Sequence, residues 1–213
     1  MIQLYGRLSS INVQKVVWCL AELGLREQVD YERIDAGLEF GLNDTPDYLR
    51  MNPNGLVPTW VEGDFVLWES HAIVRYLAGL HGLGSLMPAD PQRRADAERW
   101  MDWKLGTLWP ALRPAFVGLT RTPADKRNLT AIDTTFKEST RLLQMLEQTL
   151  SRQPYCAGES FTVGDIVVCV AVHRWLGLAR GFPEILGPVP ELPAVRKWHA
   201  KLIARPAFAS IAQ

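Results

Sequence analysis

The opening residues Ile2–Tyr5 are apolar enough for a short strand, and Gly6–Ser10 follow as a polar turn. Val13, Val16, Val17, Leu20 and Leu23 recur at three- and four-residue steps, the stripe of an amphipathic helix that Gly24 is placed to stop. Val29–Ile34 predicts a second strand, and Ala36–Asp47, with two glycines and a Thr-Pro pair, reads as a loop or irregular helix. Asn52-Pro53-Asn54-Gly55 is a strong turn cluster. Behind it Thr59–Glu62 and Phe65–Trp68 flank Gly63-Asp64, a two-residue hairpin signal. Ile73, Tyr76, Leu77 and Leu80 then share one face of a helix.

Strand, helix, strand, loop, hairpin and helix in that order are the pattern of an α/β thioredoxin-like domain. Gly79–Pro91 is rich in Gly and Pro and separates two textures, so the expected division is a first domain at 1–81, a linker at 82–90 and a second domain at 91–213. Beyond the linker the pattern is all-α, a helical bundle. Gln92–Phe116 is helical, with Pro110 and Pro114 expected to kink or end it. Leu129, Ile132, Phe136, Leu143, Leu146 and Leu150 mark a long amphipathic helix, and Ile166–Gly177 is apolar on nearly every side, as a central helix would be. Leu192–Ala204 and Ala207–Ile211 close the chain. Thr162 and Asp165 have capping-box spacing, flanked by Phe161 and Ile166 as a hydrophobic staple, a device for folding rather than chemistry.

Charge narrows the function classes. The chain of 213 residues carries 23 basic and 23 acidic side chains, so no basic excess points to a nucleic-acid partner. Cys19, Cys156 and Cys169 form no CxxC pair and no zinc-ligand spacing, which fits free thiols in a reducing compartment and no metal. The start lacks a secretory pattern, and the longest apolar stretch, Ile166–Val172, is too short to span a bilayer. A cytoplasmic protein with no membrane partner is expected.

Several segments together resemble the glutathione S-transferase family over both domains: Ser9-Ser10-Ile11-Asn12-Val13-Gln14-Lys15-Val16, Asn52-Pro53-Asn54-Gly55-Leu56-Val57-Pro58 and Trp68-Glu69-Ser70-His71-Ala72-Ile73. Phe161-Thr162-Val163-Gly164-Asp165 and the closing Arg205-Pro206-Ala207-Phe208 extend the match. Each is weak alone; their order and spacing are specific. The serine-using branch, with theta- and phi-like and many bacterial members, is the most similar.

The resemblance implies that glutathione is a co-substrate whose sulfur rests near Ser10, at the start of the first helix. There a hydroxyl donor, unpaired amides and the positive end of the helix dipole all favour thiolate over thiol. Lowering a thiol pKa from about 8.5 by roughly two units needs about 3 kcal/mol, within reach of a charge-assisted hydrogen bond plus a helix terminus. Ser10 would stabilise the sulfur, which does the attacking. Ser9 is its immediate rival, and Asn12 is the next polar side chain of the turn. Thioredoxin-like reductases and cysteine-type transferases need a thiol at this turn, and none is present; Cys19 falls two turns into the helix, a core position.

Val57-Pro58 is implied to be cis, with the Val57 main chain pairing with the cysteinyl backbone of glutathione as a strand edge would. Glu69 and Ser70, opening a helix directly after a strand, would hold the γ-glutamyl ammonium and carboxylate. Many serine-type relatives meet the glycyl carboxylate with basic or histidine residues, where this chain has Asn43 and Asp44. Asn43 is the candidate there, and Asp44 is expected to face solvent. Leu56 also stands where a polar residue often precedes the Val-Pro.

The second substrate, a small apolar electrophile, is expected between Leu8 and the first long helix of the second half. Trp103, Trp109, Arg113 and Phe116 are candidate walls there, and Trp175 from the buried helix. The family also implies a homodimer. Conjugation of the glutathione thiolate to an electrophilic carbon is the main reading. A glutathione-dependent peroxidase, dehalogenase or isomerase on the same site is an alternative, although Ser9-Ser10 precede Ile11 rather than the Cys of the maleylacetoacetate isomerases. A non-enzymatic interaction module is the third reading, and such modules can lose the serine or the Glu-Ser pair that this chain keeps.

Overall fold

The computed structural model describes residues 2–212. They fall into two compact units, one running to Asp90 and taking in the chain from Arg205 onward, the other Pro91–Ala204.

In the first unit β1 (Ile2–Tyr5), β2 (Glu32–Ile34), β3 (Thr59–Glu62) and β4 (Phe65–Trp68) form one sheet in the order β2-β1-β3-β4. β1 pairs parallel with β2 and antiparallel with β3, and β3 with β4 antiparallel. The register sets Leu4 opposite Trp60 and Thr59 opposite Trp68. Leu4 and Trp60 are both buried, so the central strand pair carries the core. The parallel β1–β2 pair needs a crossover, which is α1 (Ile11–Glu22).

α1 ends as its sequence predicts. Gly24 takes φ 77, the Gly24 amide donates to Ala21 O and the Leu25 amide to Leu20 O, a Schellman closure. α3 (Ser70–His81) packs on α1, burying Ile73, Val74, Leu77 and Ala78.

The second strand is shorter than its apolar pattern suggested: Val29 is exposed in a turn, and pairing starts only at Glu32. Ala36–Asp47, expected as a loop or irregular helix, holds a 3-10 turn at Leu38–Phe40, and its Thr45-Pro46 pair starts a helix, α2 (Pro46–Met51). Thr45 caps it by accepting from the Tyr48 amide, and Pro46 occupies the first turn, where its missing N–H costs nothing.

The second unit is helical throughout: α4 (Pro91–Trp103), α5 (Trp109–Thr120), α6 (Leu129–Leu150), α7 (Val163–Gly181), α8 (Pro183–Leu186) and α9 (Pro193–Ile203). The two prolines expected to kink or end the first of these do not stop it. A π-helical turn over Lys104–Leu108 joins α4 to α5, and α5 continues through Pro114 to Thr120. Pro110 lies at the start of α5, where the wider turn accommodates a residue without an amide donor.

α7 is buried on every side from Val163 to Val172. Its start is tied down by Asp165, which is fully buried. Oδ2 accepts from the Thr162 amide at 2.9 Å, while Oδ1 accepts from the Cys156 amide at 2.8 Å and Trp198 Nε1 at 3.0 Å. The cap that the sequence spacing announced is therefore also the joint between α7, α9 and the 155–158 turn. Burial lifts the Asp165 carboxyl above the usual carboxylate range, and these hydrogen bonds oppose that shift. Among the described residues no helix is long and apolar enough to cross a membrane.

Candidate active site

Ser10 is the N-cap of α1, with extended backbone (φ −78, ψ 122), and its hydroxyl makes no cap hydrogen bond. The first amide recruited into the helix is that of Gln14, which donates to Ser10 O at 2.9 Å. The three amides before it have no helical acceptor, and no acidic residue of the first turn offsets the dipole. The turn thus presents a mostly buried hydroxyl and a positive helix end side by side. Ser9 is exposed, and Asn12 is half-buried.

One cleft of the first unit gathers most of the predicted ligand residues. Asn12, Val57, Pro58, Glu69 and Ser70 line it, together with Asn52, Asn54, Leu56 and Trp68. Its cavity of about 40 Å³ cannot engulf a peptide, so a ligand of that size would lie along an open groove. The Val57–Pro58 peptide is cis. Gly6 allows the wall behind it to close: a Cβ there would stand 2.4 Å from Val13 Cγ2 and 3.2 Å from Val57 Cβ.

Glu69 precedes α3 with φ 71, in the left-handed region a non-glycine residue rarely occupies. Its carboxylate makes no cap bond, leaving the α3 N-terminus open at Ser70. A strained backbone position thus stands in the cleft lining beside uncapped amides. The strain had no counterpart in the sequence pattern, which marks Glu69 only as an acidic residue at a helix start.

The sequence reading did not include Asn52, Asn54, Leu56 or Trp68 among the site residues. Asn52 is buried, and its amide donates to Leu56 O at 2.8 Å and Thr59 Oγ1 at 3.1 Å. Tyr48 Oη adds a bond to the same Leu56 carbonyl at 2.7 Å. This polar knot fixes the backbone leading into Val57. Its signal was the Asn52–Gly55 turn cluster, where Asn52 Oδ1 accepts from the Asn54 amide. Tyr48 is contributed by α2.

Other candidates lie elsewhere. Asn43 is outside the cleft lining, and its amide donates to Gly55 O, bracing the turn; Asp44 is exposed, as expected. Leu8 is half-buried in the β1–α1 turn. In the second unit, Trp103 meets Trp100 edge-on at 5.2 Å. Trp109 and Phe116 lie 5.8 Å apart on α5, with Arg113 exposed between them. Lys104 Nζ sits 5.0 Å from the Trp109 ring, and the Arg121 and Arg174 guanidiniums sit 5.5 and 5.7 Å from the Phe116 ring.

Trp175 corrects its assignment as a pocket wall. It is 1% exposed, stacks on Phe136 at an interplanar angle of 3°, and donates its indole N–H to Thr140 Oγ1. Both its apolar face and its polar edge are already engaged. Cys19, Cys156 and Cys169 are free and buried, and burial raises all three thiol pKa values, so none is a nucleophile at neutral pH.

A four-stranded thioredoxin-like sheet with a cis Val57–Pro58 peptide, followed by a helical unit, defines the class as a two-domain thioredoxin-like fold. The comparisons with known proteins make the class specific. Residues 9–80 match the family model for the glutathione S-transferase N-terminal domain, and 101–206 the model for the C-terminal domain. Glutathione S-transferase GstB of Escherichia coli K12 is 42% identical over 99% of this chain and 97% of its own. Glutathione S-transferase 3 of Zea mays is 32% identical over 97% and 91%. The crystal structure of the theta class enzyme from Xanthomonas axonopodis pv. citri, with glutathione bound, superposes with a TM-score of 0.89 at 39% identity, covering 100% of this chain and 97% of that one. The chain belongs to the glutathione S-transferase family, and its function is that of a glutathione transferase.

Proposed function

We propose that glutathione lies along the cleft of the first unit, with its sulfur at the α1 N-terminus, and is conjugated there to a small, flat, apolar electrophile. The observation that carries this reading is the convergence of Asn12, Val57, Pro58, Glu69 and Ser70 on one groove; Ser10, outside that lining, is two residues before Asn12 and its hydroxyl makes no cap hydrogen bond. Ser10 donates to the thiolate and Asn12 assists. The Val57 main chain pairs with the cysteinyl backbone. The Ser70 amide and hydroxyl take the γ-glutamyl carboxylate, and Glu69 takes its ammonium. The theta class relative was crystallised with glutathione bound, which supports the same co-substrate here.

Trp109, Arg113 and Phe116 form an aromatic face with a cation on α5, suited to a flat electrophile that builds negative charge as it reacts. The exposed apolar residues Leu38, Phe40 and Leu56, all from the segment before the cis bond, support a homodimer. The buried reduced thiols support a cytoplasmic location. Ultraviolet difference titration of the glutathione complex tests the central step. Mercaptide absorbance appearing well below pH 8.5, and shifting back up in Ser10→Ala, is the expected result. Absorbance that rises only where free glutathione ionises, or is indifferent to the substitution, overturns the assignment.

A further inference from the structure

The cleft of the first unit leaves part of its ligand's charge unanswered. Glutathione brings two carboxylates and one ammonium, whereas the described residues lining the cleft offer one carboxylate, Glu69, and no cation. The γ-glutamyl carboxylate has Ser70 and the open end of α3. For the glycyl carboxylate the sequence candidate was Asn43, whose amide instead donates to Gly55 O.

The register of the sheet fixes where the glycyl end falls. Ile34, Tyr5, Thr59 and Trp68 stand side by side at one end of β2, β1, β3 and β4. Glu69 and Ser70 follow Trp68 at the β4 edge, and Val57 lies two residues before Thr59. A peptide held at Glu69-Ser70 and at Val57 therefore runs across the strand ends, from β4 towards β1 and β2. Neighbouring strands lie about 4.8 Å apart and an extended tripeptide reaches about 10 Å, so its last residue arrives past β3, over the end of β1.

Arg7 stands at that place, two residues beyond Tyr5. Its amide donates to Ala36 O at 3.2 Å, and its carbonyl accepts from the Ser10 amide at 3.1 Å. The side chain is mostly buried, and its guanidinium lies so close to Gly37 that a Cβ there would stand 2.4 Å from Nη1. The same Cβ would stand 3.5 Å from Val57 Cγ1, so guanidinium, Gly37 and Val57 share one small region. Gly37 follows β2, at the opposite edge of the sheet from Ser70. Neighbouring guanidiniums are committed elsewhere: Arg33 pairs with Glu27 and Asp35 and donates to Gly6 O, and Arg50 pairs with Asp47.

We propose, on the placement of glutathione given above, that Arg7 binds its glycyl carboxylate through a charge-assisted contact and sets the preference for a peptide with an anionic glycyl end. Calorimetric titration of the full chain with glutathione and with its glycyl monoethyl ester tests it, because the ester keeps the thiol and the γ-glutamyl end and removes only the glycyl charge. Wild type is expected to bind glutathione at least about tenfold more tightly than the ester, the effect of one charged hydrogen-bond partner. Arg7→Met should weaken glutathione by that factor while the ester stays within about twofold, which erases the discrimination. Arg7→Lys, which keeps the charge and loses the fork, should retain part of it. Wild type binding both ligands equally overturns the assignment without recourse to any variant. Discrimination that survives in Arg7→Met also overturns it, as does an equal loss of both ligands, the mark of a purely structural arginine. Wild type binding neither ligand would overturn the glutathione placement itself, and this assignment with it.

Discussion

Arg205 closes on Glu22 with two prongs, Nε and Nη2 each donating at 2.6 Å to a different carboxylate oxygen. Glu22 is the last residue of α1, whose N-cap position is Ser10. A carboxylate at a helix C-terminus opposes the dipole, and the guanidinium offsets it. Trp18, one turn back, donates its indole N–H to Glu22 at 2.9 Å and meets Phe208 edge-on at 5.1 Å. The closing Arg-Pro-Ala-Phe run is thus a clasp on the helix that carries the candidate catalytic serine. Arg205→Ala should destabilise the protein by about 2 kcal/mol, because Glu22 is left buried with only the indole as partner. Adding Glu22→Gln should recover part of that loss; urea denaturation of the single and double variants measures both.

Ser10→Ala should lower kcat/KM at pH 7 by about 30–100-fold, the thiolate fraction lost when the thiol pKa rises by roughly two units. The deficit should shrink as pH rises past 9, since the thiol then ionises unaided. Ser9→Ala, at an exposed position, should change the rate less than about threefold. A pH–rate profile of the two variants distinguishes the serines.

Glu69→Gly should leave stability unchanged or raise it by up to about 1 kcal/mol, because glycine accepts φ 71 without strain, offsetting its greater freedom in the unfolded chain. The same change should raise the KM for glutathione at least about tenfold by removing the ammonium partner. Glu69→Ala should show the KM effect without the stabilisation. Thermal melts paired with steady-state kinetics check the opposing signs.

Asp165→Asn places an amide where the carboxylate accepts from the Thr162 and Cys156 amides and the Trp198 indole. At least one buried donor then faces another donor. A loss of about 2–4 kcal/mol is expected, with little change in KM for glutathione in the protein that folds. Denaturant titration and kinetics on the same preparation test the split.

His199 should make stability pH-dependent. Burial, with smaller contributions from His173, Arg180 and Arg196, pulls its pKa down from 6.5 to about 4, and its Nε2 lies 3.0 Å from His173 Nδ1. The unfolded chain takes up a proton near pH 6.5 that the folded state refuses until about pH 4. The His199 contribution to stability should therefore be flat above 6.5, fall by at most about 1.4 kcal/mol per unit as pH drops, and level off below 4, with His173, whose pKa burial also lowers, adding in the same direction. His199→Gln should flatten that slope by about one proton, read from urea midpoints across pH.

Amino-acid sequence alone determined much of the local structure. Ile2–Tyr5, the Thr59–Trp68 hairpin and the Leu129–Leu150 helix have the bounds their periodicity predicts, because apolar spacing and turn residues act within a few positions of themselves. Ser9-Ser10, Val57-Pro58 and Glu69-Ser70 are short motifs whose order pointed to the family, and the cis bond expected at Val57-Pro58 is present. Tertiary structure decided what those rules leave open. Val29 failed to pair because β2 begins only where β1 can reach it, and Trp175 became core because Phe136 and Thr140 took its face and its edge. Asn52 and Tyr48 met over the Leu56 carbonyl, and Arg205 met Glu22 across almost the whole chain. Each of these depends on which distant groups arrive at a given point in space, and burial and hydrogen bonding are settled only once they do.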